Sequence, residues 1–366
     1  MHMQFQPSCR AQSIPSLDIS RYIRGSIDGG KRSQGLRATG KSDGERAPEV
    51  EEGWLWSQSR KGTIRNQLKE KNFRPKKSMG QNFMEDENVL KDIVEYAGLD
   101  HSCVVVEVGP GTGAMTRHIL KSGAKVYAIE KDDRLFSHYW SGRVESEECV
   151  EDTWGTESTV SDSLTVRHDD ILKVDLLDVA RHVRDIYQLP SDTKLLLMAN
   201  LPYNITRDFL NKVMTLGSDY ASLVLMLQHE VAERLVHNSP GNSDWRSINV
   251  ILQYYCDMKY VCRIDRFKYT PVPKVDGAVV EVLLKPPSER MDVPSEKDFV
   301  ALVKKGFLQR RKMLSNSLRP ILQPDEIQQC LVSCGLPAES RAQNLSLEDF
   351  VALSWAVHNM KKNAPL

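Results

Sequence analysis

Cys103-Val-Val-Val-Glu-Val-Gly-Pro-Gly-Thr-Gly113 is the stretch on which the fold turns. Its first six residues form a short, continuous β-branched run, the pattern of a strand buried on both faces of a parallel sheet. The glycines then supply a turn free of Cβ obstruction, and residues 114–122 have helical spacing up to Gly123. Lys125-Val-Tyr-Ala-Ile-Glu130 reads as a second strand, so the whole is a βαβ unit.

The alternation continues outward. Residues 89–97 are predicted helical, and strands are predicted at 164–167, 194–198 and 221–227, with helical patterns between them. The sum is an α/β, doubly wound, Rossmann-like domain over about residues 74–284. The acidic, polar stretch 141–163 reads as a surface insertion. Beyond Pro286-Pro287 strand-like runs vanish. Residues 299–307, 326–334 and 347–360 are predicted helices, giving a small all-helical C-terminal domain over about 288–366. Residues 1–60 lack a hydrophobic period and are rich in Ser, Gly, Arg and Lys, which predicts disorder. Without an apolar core this tail is no secretory signal; it reads as a plain tail or, preferably, as an organelle transit peptide.

Composition narrows the classes further. A chain of 366 residues suits two domains, or one large domain with extensions, and no apolar run approaches the roughly 20 residues needed to cross a bilayer. No membrane role is expected. Lys+Arg and Asp+Glu both total 49, so any nucleic-acid contact must come from local patches. The 7 cysteines show no paired spacing, which predicts free thiols and no metal site.

Gly109, Gly111 and Gly113 let backbone N–H groups approach a bound ligand, and Glu130 lies where a carboxylate can accept from ribose hydroxyls. Three readings compete: a structural turn, a dinucleotide site, and a site for S-adenosyl-L-methionine (SAM). The G-x-G-x-G spacing, with Glu107 two residues before the first glycine, suits a cofactor with a cationic amino-acid end and no pyrophosphate, which favours SAM. Asp170, followed by apolar Ile171, is the candidate acceptor for an adenine amino group, with an N-cap of the next helix as the alternative.

Asn200-Leu-Pro-Tyr203 follows the strand predicted at 194–198. Methylation of an exocyclic amine needs no strong base. The Asn200 side-chain oxygen and the Leu201 carbonyl can accept both amino hydrogens and aim the lone pair at a sulfonium methyl. Pro202 holds that carbonyl, and Tyr203 offers a stacking face. A strand-ending turn with a buried tyrosine is the plainer alternative.

Taken together, these residues resemble the KsgA-type small-subunit rRNA adenine-N6 dimethyltransferases. The resemblance rests on Lys77-Ser-Met-Gly-Gln-Asn-Phe-Met84, Val106-Glu-Val-Gly-Pro-Gly-Thr-Gly113, Glu130, Asp170, Asn200-Leu-Pro-Tyr-Asn-Ile205, Met226-Leu-Gln-His-Glu-Val231, Thr270-Pro-Val-Pro-Lys-Val-Asp276, Gln309-Arg-Arg-Lys312 and Arg341-Ala-Gln-Asn-Leu-Ser346. It implies that Asn82, Met84, Gly109, Glu130, Asp170 and Asn200 line a SAM pocket and that residues 200–203 hold the target adenosine. Tyr269, where the family usually has Phe, is implied as a second stacking partner. It also implies dimethylation of two adjacent adenosines in small-subunit rRNA, a pre-ribosomal particle as partner and a monomer. The Leu201 form resembles bacterial and organellar members, and with the tail and the stretch Ile64–Met84 the chain looks most like a plastid member, with the mitochondrion as the alternative.

Lys304, Lys305, Arg310, Arg311, Lys312 and Arg319 are expected on one helical stretch as an RNA-binding face, the alternative being an ordinary solvated surface. Lys71, Arg74, Lys76 and Lys77 form a second basic group. Two rival functions remain at this stage. One is a related 23S rRNA methylase; the other is an assembly or mitochondrial transcription factor that binds without needing to methylate.

Overall fold

A computed structural model describes residues 68, 73–76, 79–140, 156–214, 216 and 219–363. The predicted tail, Lys71 and Lys77 lie outside the described residues. Along the chain run β1 (Phe83–Met84), α1 (Glu87–Tyr96), β2 (Val104–Val108), α2 (Ala114–Lys121), β3 (Lys125–Glu130) and a short turn α3 (Asp133–Leu135) that widens into a π-helix, Phe136–Trp140. They are followed by β4 (Thr156–Ser161), β5 (Leu164–His168), α4 (Leu176–Ile186), β6 (Leu195–Asn200), α5 (Thr206–Val213) and β7 (Tyr220–Gln228). Next come α6 (His229–Val236), α7 (Ser247–Tyr255), β8 (Cys256–Ile264), β9 (Tyr269–Thr270) and β10 (Gly277–Leu284). The remaining helices are α8 (Glu296–Leu308), α9 (Leu314–Ser317), α10 (Pro324–Ser333) and α11 (Leu347–Asn363).

The chain divides into two compact units. The first holds the described residues up to Val174, together with Leu195–Asn204 and Cys262–Val279. Its main sheet has the order β4-β5-β3-β2-β6. β2 runs parallel to both β3 and β6, and β3 parallel to β5, while β4 pairs antiparallel with β5. Every residue of β2 is buried, and Val105, Val106, Val126 and Leu164 are wholly so. Such two-sided burial, at about 1.5–3 kcal/mol per large aliphatic side chain, is why these strands read as unbroken apolar runs rather than alternating ones. Helix α1 begins where the Asp86 carboxylate accepts from Asn88 N (3.0 Å) and Val89 N (3.1 Å), and its buried face is Val89, Leu90, Ile93 and Val94. A separate two-stranded sheet pairs β1 with β9, Phe83 opposite Thr270 and Met84 opposite Tyr269.

The second unit comprises Asp175–Lys194, Ile205–Val261 and Val280–Leu366. It contains helices α4 to α11, and its strand segments follow the order β7-β10-β8. The Trp245 indole, fully buried, donates to Leu345 O at 3.0 Å, and Tyr254 packs on Phe299 with ring centroids 4.8 Å apart. Every described element after Leu284 is helical.

Three expectations need correction. The stretch 141–163 is not wholly an insertion: 141–155 lie outside the described residues, but β4 and the turn after it are integral to the sheet. Its polar composition hid a strand whose Glu157 carboxylate accepts from the Tyr127 hydroxyl. Strands β8 and β10 were not predicted at all. Arg310, Arg311 and Lys312 are not helical, because α8 ends at Leu308 and Lys312 N closes a turn onto Gln309 O at 2.7 Å. That reversal carries the fully buried Leu314 back against α8, where a Cβ on Gly306 would lie 3.1 Å from Leu314 Cδ2.

Candidate active site

All of the residues expected at the cofactor and target adenine fall within the first unit. Three glycines make the turn after β2 with φ of +69° (Gly109), +58° (Gly111) and +78° (Gly113), a region that side chains disfavour. Two of them are also packed tightly. A Cβ at Gly113 would lie 2.8 Å from Trp140 Cη2, and one at Gly111 would lie 3.1 Å from Phe83 Cε1. At Gly109 a Cβ would meet nothing within 4 Å, so the cradle is open on that side.

Carboxylates surround the turn. Glu130 Oε2 accepts from Gly111 N at 3.1 Å and Oε1 from Asp132 N at 2.8 Å, so the end of β3 holds the turn in shape. Burial pushes the Glu130 carboxyl up to about 7, against the backbone N–H bonds that favour its charged form. Glu107, 1 % exposed, has no hydrogen bond to either carboxyl oxygen. Burial pushes it up to about 7 as well; the nearby Thr116 hydroxyl opposes that shift and the charge of Glu130 adds to it. A buried carboxyl that, among the described residues, has only the Thr116 hydroxyl and the Arg117 charge to offset its burial, beside an open glycine cradle, fits a ligand with a cationic end, as SAM has.

Asp170 uses both oxygens: Oδ1 accepts from Leu172 N at 3.0 Å and Oδ2 pairs with the Lys131 ammonium at 2.7 Å. Burial works to raise this carboxyl, but Lys131 and the Leu172 bond outweigh it and hold it below its ordinary value. It is not the N-cap of the next helix. That role falls to Asp175, whose carboxylate accepts from Leu177 N at 2.8 Å.

The segment after β6 is built to orient one amide. Asn200 Nδ2 donates to Asn82 O at 3.2 Å, while Asn82 Nδ2 donates to Gly80 O at 3.0 Å. One hydrogen of the Asn200 amide is thereby used, which orients the group, and among the described residues its Oδ1 accepts nothing. Leu201 is buried, Pro202 and Tyr203 are half-buried, and a Cβ on Gly80 would meet Asn204 Oδ1 at 3.0 Å and Pro202 Cβ at 3.3 Å. The Tyr203 hydroxyl is buried and, among the described residues, has no hydrogen-bond partner, although the residue as a whole is half-buried. Burial raises that phenol, and the Asp276 carboxylate adds to the effect.

Met84, 3 % exposed, stands opposite Tyr269 in the small sheet. Tyr269 itself is only 2 % exposed, and its hydroxyl fills the space that a Cβ on Gly277 would need, 2.5 Å away. Its ring lies inside the unit and presents no open face. Lys304 and Lys305, on the last turns of α8, and Arg310, Arg311 and Lys312, in the following turn, all belong to the second unit. Lys304, Arg311 and Lys312 are exposed, while Arg310 donates to Ser243 O.

Several residues of the site were not singled out in the sequence. Gln81 Nε2 donates to Asp132 Oδ2 at 2.7 Å, and Arg134 donates to both Asp132 oxygens, at 3.0 Å from Nε and 2.7 Å from Nη2. Arg134 also donates to Arg74 O at 3.0 Å and covers the Phe73 ring at 4.4 Å. This fastens the segment before β1 to the end of β3. Asp132 stands two residues beyond Glu130, a spacing that could have drawn notice. Trp140, whose Nε1 donates to Gly111 O at 3.1 Å, gave no such signal.

A glycine turn between parallel strands, with an acid at the end of each, defines the class as Rossmann-like, SAM-dependent methyltransferases. Within it, a family described as ribosomal RNA adenine dimethylase matches residues 72–358, and the chain belongs to that family. It is 34% identical over 284 residues to a chloroplastic ribosomal RNA small subunit methyltransferase of Arabidopsis thaliana, covering 76% of this chain and 78% of that one. It is also 34% identical over 304 residues to ribosomal RNA small subunit methyltransferase A of Enterococcus faecalis, covering 82% and 95%. Among solved structures, a dimethyladenosine transferase from Plasmodium falciparum superposes with a TM-score of 0.58 at 22% identity, covering 76% of this chain and 98% of that one, which shows a shared fold.

Proposed function

We propose that this chain dimethylates N6 of two adjacent adenosines near the 3′ end of small-subunit rRNA, acting as a monomer on a pre-ribosomal particle. The observation that carries this is the Asn200 amide, oriented by its bond to Asn82 O so that Oδ1 is left as an acceptor at the end of β6. Family membership over residues 72–358 and the small-subunit methyltransferases among the relatives support the substrate class. SAM, when bound, supplies an electrophilic methyl group on a sulfonium.

The protein's part is positioning. Asn200 Oδ1 and the Leu201 carbonyl accept the two amino hydrogens of adenine, which draws the nitrogen toward sp³ character and frees its lone pair. The amine would gain a carbon–nitrogen bond as the carbon–sulfur bond of the donor breaks to leave a thioether, and its proton would pass to water, so no residue here needs to act as a strong base. The Tyr203 ring stacks on the target base, and Tyr269 supports that region from inside. Asn82, on the segment entering β1, Met84, in β1, and Glu107, Gly109, Gly111, Gly113, Glu130 and Asp170 hold the cofactor. Pro202 fixes the carbonyl of Leu201.

Lys304, Lys305, Arg310, Arg311 and Lys312 grip rRNA phosphates, and residues 288–366 act as a helical C-terminal domain. The chloroplastic relative supports a plastid location, with residues 1–60 as transit peptide, over a mitochondrial one. Incubation with labelled SAM and immature small subunits tests the whole. Label confined to small-subunit rRNA is expected; binding without label would point instead to an assembly or transcription factor.

A further inference from the structure

The segment from Asp265 to Asp276, which lies between β8 and β10 and contains β9, carries Phe267, an aromatic side chain 68 % exposed. A single exposed ring is ordinary on a protein surface, so what marks Phe267 is the setting around it. Its surroundings are basic. The Arg266 guanidinium covers the ring at 5.1 Å, and Arg263, Lys268 and Lys274 flank it, all exposed. Arg263 and Lys268 are matched by Asp276 and Asp86. The Arg266 side chain instead donates to the Lys274 carbonyl at 3.2 Å and, among the described residues, forms no ion pair of its own, while its charge acts on the nearby Asp276 carboxylate.

The turn is also tied to the candidate active site. Asp276 accepts from Arg266 N at 3.0 Å and lies close enough to Tyr203 to act on its phenol. Phe267 N donates to Asp265 Oδ1 at 2.8 Å, and Glu85 N donates to Lys268 O at 2.8 Å beside the β1–β9 pair. A rigid aromatic with a cation above it, on a loop anchored next to the catalytic tyrosine, is the pairing that single-stranded nucleic acid selects: a ring to stack on and a charge for the adjoining phosphate.

We propose that Phe267 and Arg266 form a binding subsite for an unpaired nucleotide flanking the target adenosine. This rests on the rRNA adenine reading above and extends it from the reacting base to its neighbour. The subsite takes any base, because stacking uses the π-face alone, and its occupant is RNA in single-stranded form.

The test uses the full chain and an RNA hairpin with a single-stranded loop, measured by filter binding at fixed salt. Phe267→Ala is expected to weaken binding roughly tenfold or more, the range for loss of one stacked base. Phe267→Tyr should restore it, and Arg266→Gln should flatten the salt dependence. SAM affinity and melting temperature serve as controls for folding. Unchanged hairpin affinity in Phe267→Ala overturns the subsite even if wild-type protein methylates the rRNA. Absence of methylation by wild-type protein overturns the functional reading even if hairpin affinity falls. Weaker binding only to protein-containing particles would assign the ring to a ribosomal protein and also overturn the subsite.

Discussion

Gln81 Nε2 sits 2.7 Å from Asp132 Oδ2, joining the segment that enters β1 to the turn that closes β3. Asp132 is 1 % exposed, and although burial opposes its charge, Arg134 and Gln81 hold the carboxyl below its ordinary value. It is therefore an ionised anchor between two segments that both border the glycine turn.

Asp132→Ala should release the entering segment and leave Arg134 and Gln81 without their acceptor. SAM affinity is expected to fall about tenfold, on the order of 1.4 kcal/mol, with a comparable loss of stability. Gln81→Ala should show a smaller loss of the same sign. Isothermal titration and urea unfolding read both.

Asn200→Ala should lower kcat by about 10²-fold or more, as loss of a positioned acceptor does, while changing SAM affinity little. Glu130→Ala should do the reverse, weakening SAM binding more than the chemical step. Single-turnover assays beside cofactor titrations separate the two, and the opposite ranking would contradict these roles.

Glu107 and Glu130 both have their carboxyls raised to about 7 by burial. A Glu in the unfolded chain titrates near 4.3, so the folded state binds protons more tightly. Their contribution is fully present below that value and is lost as pH rises through about 7. Ligand-free protein should therefore lose stability between pH 5 and 8. Glu107→Gln should flatten that slope by on the order of 1 kcal/mol, read from urea midpoints at the two pH values.

Gly113→Ala places a methyl 2.8 Å from Trp140 Cη2 at a φ of +78°. A loss of about 1–3 kcal/mol in stability is expected, with weakened SAM binding. Thermal unfolding with and without cofactor measures both.

Reversing Arg310 and Arg311 to Glu should weaken binding to immature small subunits more than it weakens SAM binding. Equal loss of both would argue against a phosphate-gripping role for this turn.

The strands at the centre of the main sheet were legible because burial on both faces leaves an unmistakable apolar run, and the glycines were legible because few other residues tolerate their φ. The edges were not. β4 reads Thr-Glu-Ser-Thr-Val-Ser and hides as a polar loop, while β8 alternates only from Cys256 to Tyr260, with Asp257 and Lys259 outward, and loses the period at Val261. Asn200 and Glu130 stand at strand ends, where sequence spacing carries position. The clasp through Gln81, Asp132 and Arg134 and the seat of Trp140 under the glycine turn depend on pairings between distant segments, which no local pattern encodes. The same limit applies to Arg310, expected on a helix: α8 ends at Leu308, ahead of the turn that returns Leu314 to the core.

The pairing of Phe83 and Met84 with Tyr269 and Thr270 also sets an order of events during synthesis. The first member of this small sheet leaves the ribosomal exit tunnel long before the second is translated. A nascent chain halted ahead of Tyr269 has its entering segment untethered on that side, so the enclosure around Asn200 is completed only late in translation, when the two ends of the first unit meet.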